Sequence, residues 1–488
     1  MTRPKPLRRL FCSFAASLAL GCLPAAAAPN VVLIAVDDLN DWIGCLGGHP
    51  QAQTPHLDAL AARGTLFANA HCQAPLCNPS RTSLLFGLRP TSTGIYGLSP
   101  APRMAEPLRD AVSLPQAFAR AGYHTAVAGK VFHGTPKADS GEFSSYGPGC
   151  TYGPFPPNKF VNTPDSMKAV DWGPFPERDE LQNDHLIGDW AEAFIKGRGK
   201  DAPFFLAVGF ARPHLPCYAS PKWFELYPEE TLKLPPMLEG DLEDVPQFAQ
   251  YLKWSLPEPR LPWLKANGQW KPLLRAYLAS VSYVDSEIGR LVKTLDDQGL
   301  ADNTIIVLFS DHGWHLGEKE CSGKNSLWER STHVPLIVAG PGLKPGQRCL
   351  QPAELLDIYP TLVDLCGVKT PAKLDGLSLR PQLDQPDRPR RPALTSHNPG
   401  SHAVRDARWR YIRYADGSEE LYDHDADPHE WHNLAARADL GEVKERLKAQ
   451  LPAAEAPHAS GSAGRVLWQK EGRWYWEGKA IDETPQSP

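Results

Sequence analysis

The chain has 488 residues and a formal net charge of −5, and its length predicts one large domain with a smaller one beside it. Hydrophobic residues make up 42% of the sequence, which excludes global disorder, and the 49 prolines, about twice the usual share, argue against long uninterrupted helices. The acidic balance argues against a general nucleic-acid-binding protein, which normally carries a basic excess, so we expect no nucleic-acid partner.

The N-terminal residues have the order of a secretory signal peptide. Residues 1–9 carry four basic side chains and no acid, residues 10–23 are mainly apolar, and small residues follow at 25–28. We therefore expect residues 1–28 to be removed by cleavage near Ala27, leaving a periplasmic or secreted protein with a net charge of −9. A membrane anchor fits less well because the run is short and rich in small residues, and lipoprotein attachment at Cys22 is the weaker alternative. We expect no membrane span in the mature chain.

Short, continuous apolar runs predict strands that are buried on both faces of a parallel sheet, at residues 30–36, 204–210, 304–309 and 335–339. Helix-like stretches lie between them, for example at residues 114–121 and 275–298. This alternation predicts an α/β fold with a mostly parallel sheet flanked by helices. Residues 135–180 have no clear period and predict an irregular insertion over one edge of the sheet.

The pattern changes after a proline- and arginine-rich linker at residues 384–392. Alternating residues at 409–414, the turn signal Asp416-Gly417 and a return strand at 420–422 predict an antiparallel hairpin. We therefore expect a catalytic domain at residues 29–385 and a smaller antiparallel α+β subdomain at residues 386–488. The tail after Leu451 has the composition of a flexible segment, apart from a possible hairpin at residues 466–476.

Two of the predicted strands end in polar clusters. Asp37 and Asp38 follow the first strand, and Asp311 and His312 follow the strand at 304–309. Sites in open α/β sheets assemble at the carboxyl ends of strands, and converging carboxylates would repel one another unless a cation neutralised them. Oxygen-rich ligation favours Ca²⁺ or Mg²⁺. Simple helix capping is the alternative for either cluster, but two clusters at equivalent strand ends favour a metal site.

A third motif is the segment Leu76-Cys77-Asn78-Pro79-Ser80-Arg81. By chance, the C-x-P-S-R pattern would occur in roughly a few of every thousand chains of this composition, so the match is specific. Cys77 is predicted to lie where a helix begins, and the helix dipole favours an anion there. A buried structural thiol is the alternative, whereas Cys72 and Cys77 lack the C-x₂-C spacing of a zinc site.

Together these motifs resemble those of the type I sulfatases of the alkaline-phosphatase-like superfamily, and most of all the iduronate-2-sulfatase-like subgroup. The resemblance covers about residues 30–435, and the motifs occur in the family's order. Besides Asp37-Asp38 and Cys77-x-Pro79-Ser80-Arg81, it is carried by Gly129-Lys130-Val-Phe-His133, Arg212-Pro213-His214-x-Pro216, Ser310-Asp311-His312-Gly313-Trp-x-Leu-Gly-Glu318, Lys324-Asn-Ser-Leu-Trp-Glu329 and Leu421-Tyr-Asp-x-Asp-x-Asp-Pro428.

The resemblance implies that a formylglycine-generating enzyme oxidises Cys77 to Cα-formylglycine, whose aldehyde hydrate is the nucleophile. One hydroxyl attacks sulfur, and deprotonation of the other then expels sulfate, whereas a plain Cys or Ser would stay sulfated. Phe86 departs from the family signature, which usually has Thr at the end of the segment that the modifying enzyme reads. The motif core is intact, so we predict modification.

The resemblance also implies a role for each site residue. The metal ligands would be Asp37, Asp38, Asp311, His312 and modified Cys77, around a cation that is usually Ca²⁺ and less often Mg²⁺. Arg81 would hold the hydrate, Lys130 and Lys324 would bind sulfate oxygens, His133 would be the base that triggers sulfate release, and His214 the acid that protonates the leaving alcohol. His315 is a weaker candidate for the pocket lining, and Asp285 and Asp357 are interpreted as packing or capping residues.

The implied function is hydrolysis of a sulfate ester on a sugar or glycan. One alternative is a formylglycine-dependent phosphodiesterase or phosphonate monoester hydrolase, and another is a silent protein that binds sulfated glycans. A single metal site with Lys130, Lys324 and Arg81 is interpreted as favouring a sulfate monoester.

Overall fold

The computed structural model of the protein describes residues 1–2, 28–134, 140–198, 202–253 and 257–481. Nearly all of the predicted signal peptide therefore lies outside the described residues. Across the described ranges, no helix has both the length and the apolar character that a membrane crossing requires.

The strands are β1 (Asn30–Val36), β2 (Gly64–Phe67), β3 (Ala70–His71), β4 (His124–Gly129), β5 (Ser145–Tyr146), β6 (Trp172–Pro174), β7 (Phe204–Phe210), β8 (Cys217–Ala219), β9 (Thr304–Ser310), β10 (His315–Leu316), β11 (Ser322–Gly323), β12 (Leu336–Ala339), β13 (Gln347–Cys349), β14 (Ala353–Glu354), β15 (Ala393–Ser396), β16 (His402–Arg405), β17 (Trp409–Arg413), β18 (Glu419–Asp423), β19 (Leu467–Lys470), β20 (Arg473–Trp476) and β21 (Lys479–Ala480). The helices are α1 (Pro55–Ala62), α2 (Cys77–Phe86), α3 (Pro90–Thr93), α4 (Leu114–Arg120), α5 (Asn183–Lys196), α6 (Pro221–Glu225), α7 (Leu261–Ala266), α8 (Trp270–Asp297), α9 (Glu329–Thr332), α10 (Ile358–Leu365), α11 (Arg380–Asp384) and α12 (Gly441–Lys448).

The central sheet has the strand order β13-β2-β12-β9-β1-β7-β4-β5 and is parallel except at β12, so the predicted fold class is confirmed. Alternate residues of β1 belong to two different hydrophobic cores, one on each face of the sheet. Val32 and Ile34 pack with α1, α5 and α8 on one face, and Val31 and Leu33 pack with α2, α4 and α10 on the other. A strand covered on both faces has to be apolar throughout, which explains the continuous runs in the sequence.

The prediction of a parallel strand at residues 335–339 was wrong in direction, since β12 runs antiparallel to both β9 and β2. A parallel return needs a long crossover, usually a helix that spans the sheet. Between β9 and β12 the chain forms only short elements, of which α9 has four residues. The chain therefore enters β12 at the end of the sheet where it left β9. A strand that is buried on both faces has the same apolar pattern in either direction, so the sequence does not reveal this reversal.

The C-terminal part contains the antiparallel sheet β15-β16-β17-β18, helix α12 and the small sheet β19-β20-β21. The predicted turn joins β17 to β18, where Gly417 has a φ of +92° that glycine adopts readily. Residues 452–466, whose composition predicted flexibility, make backbone hydrogen bonds to Thr91, Gly94 and Ser99 of the larger domain. In the described residues 140–180, the insertion is largely irregular and adds β5 to the edge of the central sheet.

A buried ion cluster joins the two parts of the chain around Arg410 on β17. Its guanidinium forms an ion pair with Glu329, lies 2.7 Å from Glu430 Oε1, and donates to Leu327 O at 3.0 Å. Burial by itself would raise the pKa of Glu329, but the charge of Arg410 and its neighbours holds it well below the usual value. The cluster stays ionised because each buried charge has a partner of opposite sign.

Replacing Arg410 with leucine is expected to lower the free energy of unfolding by about 3–5 kcal/mol, because Glu329 and Glu430 would stay buried without their main counter-charge. Urea denaturation would measure the loss. Arg408→Leu is the matched control, since Arg408 also pairs with a carboxylate, that of Asp423, but is 50% exposed. Equal losses for the two variants would contradict the importance of this buried cluster.

Candidate active site

Four neighbouring parallel strands bring the predicted site residues to one edge of the sheet. The strand order β9-β1-β7-β4 places Asp311, Asp37, Arg212-Pro213-His214 and Lys130 in or just after the loops at their carboxyl ends. Strands β9, β1 and β7 end at nearly the same level, since Val36 of β1 lies opposite Ser310 of β9 and Phe210 of β7. The edge therefore forms the kind of crevice in which α/β proteins bind ligands.

Helix α2 begins at Cys77 and points its N-terminus into this crevice. Leu76 before it is extended, with φ −158°, and all ten residues of the helix are buried. Arg81 lies one turn further on the same face, as an i+4 neighbour does. Ser80 Oγ donates to Asp311 O at 2.5 Å, and Asn78 Nδ2 donates to Gly97 O and Pro100 O at 3.0 Å each. These contacts fix the start of the helix against the strand end and the neighbouring loop.

The predicted metal ligands converge on the Cys77 side chain. Ligand atoms of Asp37, Cys77, Asp311 and His312 all lie within 4.8 Å of one another. Cys77 Sγ is 3.2 Å from His312 Nε2 and 3.8 Å from Asp37 Oδ1. Asp38 contacts the same group of residues, with its Oδ1 3.3 Å from His312 Nε2. The structure thus brings together all five residues that the sequence indicated as ligands.

Basic side chains partly balance the three carboxylates. Arg81 lies between Asp37 Oδ1 at 3.0 Å and Asp311 Oδ2 at 2.7 Å. Burial alone would raise the pKa of Asp37, but the charges of Lys130, His214, Arg81 and Lys324 hold it well below the usual value. Asp38 differs, because burial raises its pKa to about 8 in spite of Lys324 at 2.8 Å.

The donor set fits a hard divalent cation. Asp38 Oδ2 is buried without a hydrogen-bond partner among the described residues, which is costly for a carboxylate oxygen. A cation bound by Asp37, Asp38, Asp311 and His312 would satisfy this oxygen and stabilise its charge. The three carboxylates and the imidazole form an oxygen-rich donor set of the kind that Ca²⁺ or Mg²⁺ takes.

Two lysines flank the sulfur atom of Cys77. Lys130 Nζ is 3.5 Å from it and pairs with Asp37, and Lys324 Nζ is 3.3 Å from it and pairs with Asp38. Burial raises the pKa of the Cys77 thiol, and although both lysines oppose that effect, the pKa stays above its usual value. An unmodified Cys77 is therefore a protonated thiol and a weak nucleophile at neutral pH.

Two of the predicted histidines also face the crevice. His214 Nε2 lies 3.8 Å from Asp38 Oδ2, while its Nδ1 is 2.6 Å from Leu215 O. His133 lines a cavity of about 180 Å³ together with Lys130 and Tyr152. His315 instead makes internal contacts, with Nδ1 at 3.1 Å from Glu318 O and Nε2 at 2.8 Å from Ser326 Oγ. It is 1% exposed, which identifies it as a structural histidine.

The two carboxylates interpreted as packing residues cap backbone groups. Asp285 accepts hydrogen bonds from His56 N and Leu57 N at the start of α1, and Asp357 accepts from Glu354 N and Leu377 N. Tyr152 also lies at the site, with its ring 4.7 Å from that of His214, although no motif in the sequence indicates it. No periodicity in the irregular insertion singles it out.

His133 is expected to act as a base down to about pH 5. Burial, then the charges of Lys130 and Arg81, lower its pKa to about 4, so the imidazole is neutral and can accept a proton at neutral pH. A base is active above its pKa, so the rate that depends on His133 is lost as the pH falls through about 4. We expect kcat of His133→Ala to fall by about 10²–10⁴-fold and KM to fall with it, because the release of sulfate follows formation of the sulfated intermediate.

The pH profile of kcat for the wild type and for the exposed-residue control His432→Ala would test this prediction. An acidic limb with a midpoint near the usual histidine value, about 6.5, would contradict it.

The sheet order, and the cluster of carboxylates, His312 and Cys77 at the carboxyl ends of its strands, agree with an alkaline-phosphatase-like fold. Residues 29–368 match the family described as Sulfatase, and residues 317–456 match the C-terminal family of N-sulphoglucosamine sulphohydrolase. The chain belongs to the sulfatase family and is a sulfuric ester hydrolase.

Individual relatives agree with this assignment. A protein named sulfatase from Formosa agariphila is 42% identical over 88% of this chain and 87% of its own length. Human iduronate 2-sulfatase is 34% identical over 70% of each chain. Among solved structures, the phosphonate monoester hydrolase of Silicibacter pomeroyi has a TM-score of 0.73 and 24% identity over 86% of this chain and 94% of that chain, a likeness of fold.

Proposed function

We propose that this sulfatase removes sulfate from a sulfated sugar, in the manner of an iduronate-2-sulfatase-like enzyme, with Cys77 converted to formylglycine and Ca²⁺ bound beside it. The observation that carries the proposal is the position of Cys77 Sγ, between two lysine ammonium groups and next to the cluster of three carboxylates and His312. The 34% identity with human iduronate 2-sulfatase supports the substrate class.

In this proposal the position of each residue determines its role in catalysis. Formylglycine at position 77 would supply a hydrated aldehyde as nucleophile, and Ca²⁺ held by Asp37, Asp38, Asp311 and His312 would supply positive charge that polarises a sulfate oxygen. Lys130 and Lys324, on either side of residue 77, hold the sulfate oxygens and stabilise the negative charge of the transition state. Arg81 pairs with both Asp37 and Asp311 and screens the repulsion between their charges. His133 removes the proton that releases sulfate, and His214 donates one to the leaving sugar oxygen.

The proposal includes an exported enzyme. Residues 1–28 would direct it to the periplasm or out of the cell, and a formylglycine-generating enzyme would be its partner during maturation. Export suits a glycan substrate, which is encountered outside the cytoplasm.

Hydrolysis assays on a panel would test the proposed function. The panel contains 4-nitrophenyl sulfate, a 2-O-sulfated iduronoside, N-sulfoglucosamine and bis(4-nitrophenyl) phosphate. We expect sulfate release from the iduronoside and from the aryl sulfate. A higher kcat/KM on the phosphate diester would instead favour the phosphodiesterase alternative, and failure on every compound despite formylglycine at position 77 would contradict the proposal.

A further inference from the structure

The irregular insertion places one aromatic side chain, Tyr152, inside the active-site crevice. Its ring centroid lies 4.7 Å from that of His214 with an interplanar angle of 37°, and 5.2 Å from Lys130 Nζ. With His133 and Cys150 it lines the cavity of about 180 Å³. Tyr152 therefore contacts the proposed acid and one of the proposed sulfate-binding groups.

The backbone of Tyr152 is held in an uncommon conformation. Its φ is +53°, in the left-handed region that aromatic residues seldom adopt. Arg212 Nη2 donates to Tyr152 O at 3.0 Å, and Arg212 itself is 1% exposed and belongs to the same Arg-Pro-His segment as His214. Backbone strain of this kind persists where the surroundings over-determine it, and it clusters at functional sites.

The orientation of the His214 side chain depends on the Tyr152 ring more than the orientation of Lys130 does. Lys130 is oriented by its ion pair with Asp37 whether or not the ring is present. For His214, the structure records one close hydrogen bond, from Nδ1 to Leu215 O, and a longer approach of Nε2 to Asp38 Oδ2 at 3.8 Å, so the aromatic neighbours help to fix the plane of the imidazole. Of these, Tyr152 is at 4.7 Å and Trp314 at 6.4 Å between ring centroids.

We infer that Tyr152 is a positioning residue that holds the imidazole of His214 with Nε2 directed at the leaving oxygen of the substrate. This inference rests on the proposed function, in which His214 protonates that oxygen. The contact is made by the ring, so the aromatic face and not the hydroxyl carries the effect.

Substrates with different leaving groups distinguish a loss of His214 positioning from a general loss of active-site structure. The oxygen of a sugar alcohol is a poor leaving group and needs a proton, whereas 4-nitrophenolate departs without one. For Tyr152→Leu we expect kcat/KM on the best sugar sulfate of the panel to fall by about 10–100-fold, a part of what general acid catalysis contributes, and kcat/KM on 4-nitrophenyl sulfate to stay within about threefold. Tyr152→Phe should restore the wild-type ratio of the two rates.

A double-mutant cycle provides the second measurement. If Tyr152 acts through His214, the loss caused by Tyr152→Leu on the sugar sulfate should disappear in a His214→Gln background. Phe155→Leu, in the same insertion with a 38% exposed side chain, is the matched control and should change neither rate. Tyr152→Met, whose unbranched side chain adapts more easily to the space left by the ring, replaces the leucine variant if thermal unfolding shows that variant to be unfolded at the assay temperature.

Equal losses on both substrates, no loss on either, or additive effects in the cycle would overturn the role of Tyr152 while leaving the proposed function standing. A wild type that carries formylglycine but hydrolyses neither sulfate would overturn the proposed function and this role with it.

Discussion

Cys77→Ala is expected to lower kcat/KM on every sulfate ester by at least about 10⁴-fold, because it removes the nucleophile while the sulfate-binding lysines remain. In wild-type protein that has met its modifying enzyme, the peptide containing residue 77 should be about 18 Da lighter than the cysteine form, the difference between a thiol and an aldehyde. Peptide mass spectrometry and steady-state assays measure the two effects separately.

Cys77→Ser is the informative companion variant. Its single hydroxyl can be sulfated but cannot expel the sulfate, so we expect at most one turnover and a stable adduct of about 80 Da. Multiple turnovers by the Cys77→Ser variant, or by protein in which Cys77 is still an unmodified thiol, would contradict the formylglycine mechanism. Buried Cys72, which makes a weak contact with Ser331 O at 3.7 Å, offers a matched control as Cys72→Ala.

Removing the cation or one of its carboxylates is expected to have the second largest effect. Asp311→Asn should weaken Ca²⁺ binding by at least about 100-fold, more than the loss of an outer contact costs, because it deletes a charged ligand. Treatment of the wild type with a Ca²⁺ chelator should likewise abolish sulfate release, and added Ca²⁺ should restore it better than Mg²⁺.

Thermal unfolding gives a readout that does not depend on activity. At a Ca²⁺ concentration about 100 times its Kd, binding should stabilise the wild type by about 2.7 kcal/mol, and Asp311→Asn should lose that stabilisation. Asp296→Asn is the control, since Asp296 is an acidic residue with a 47% exposed side chain that pairs with Arg63. An Asp311→Asn protein that keeps the full calcium-induced shift would show that this edge of the sheet does not hold the cation.

Local features of the site were predictable because they depend on residues close together in the chain. The positions of Cys77 and Arg81, one turn apart on α2, follow from helical spacing. Asp37 and Asp311 follow buried strands whose apolar runs mark them, and parallel strands next to each other end at one edge of a sheet. The motif resemblance supplied the roles of Lys130, His133, His214 and Lys324, which composition and periodicity alone do not indicate.

Other features depend on contacts between distant segments. The contact of Lys324 with Asp38 joins residues 286 positions apart, and the ring of Tyr152 meets His214 from an insertion without periodicity. The unsatisfied Asp38 Oδ2, which supports a cation site most directly, is visible only when every neighbouring donor is placed. The antiparallel direction of β12 was also hidden, because a strand buried on both faces has the same pattern in either direction.

By itself, the sequence determined the fold class and indicated the proposed nucleophile and the charged residues around it, since strand burial, helical spacing and short motifs are local properties. Only the tertiary structure decided how those charges balance, which carboxylate oxygen lacks a partner, and which aromatic ring contacts the proposed acid. These depend on distances of a few ångströms between segments whose separation along the chain carries no information about their separation in space.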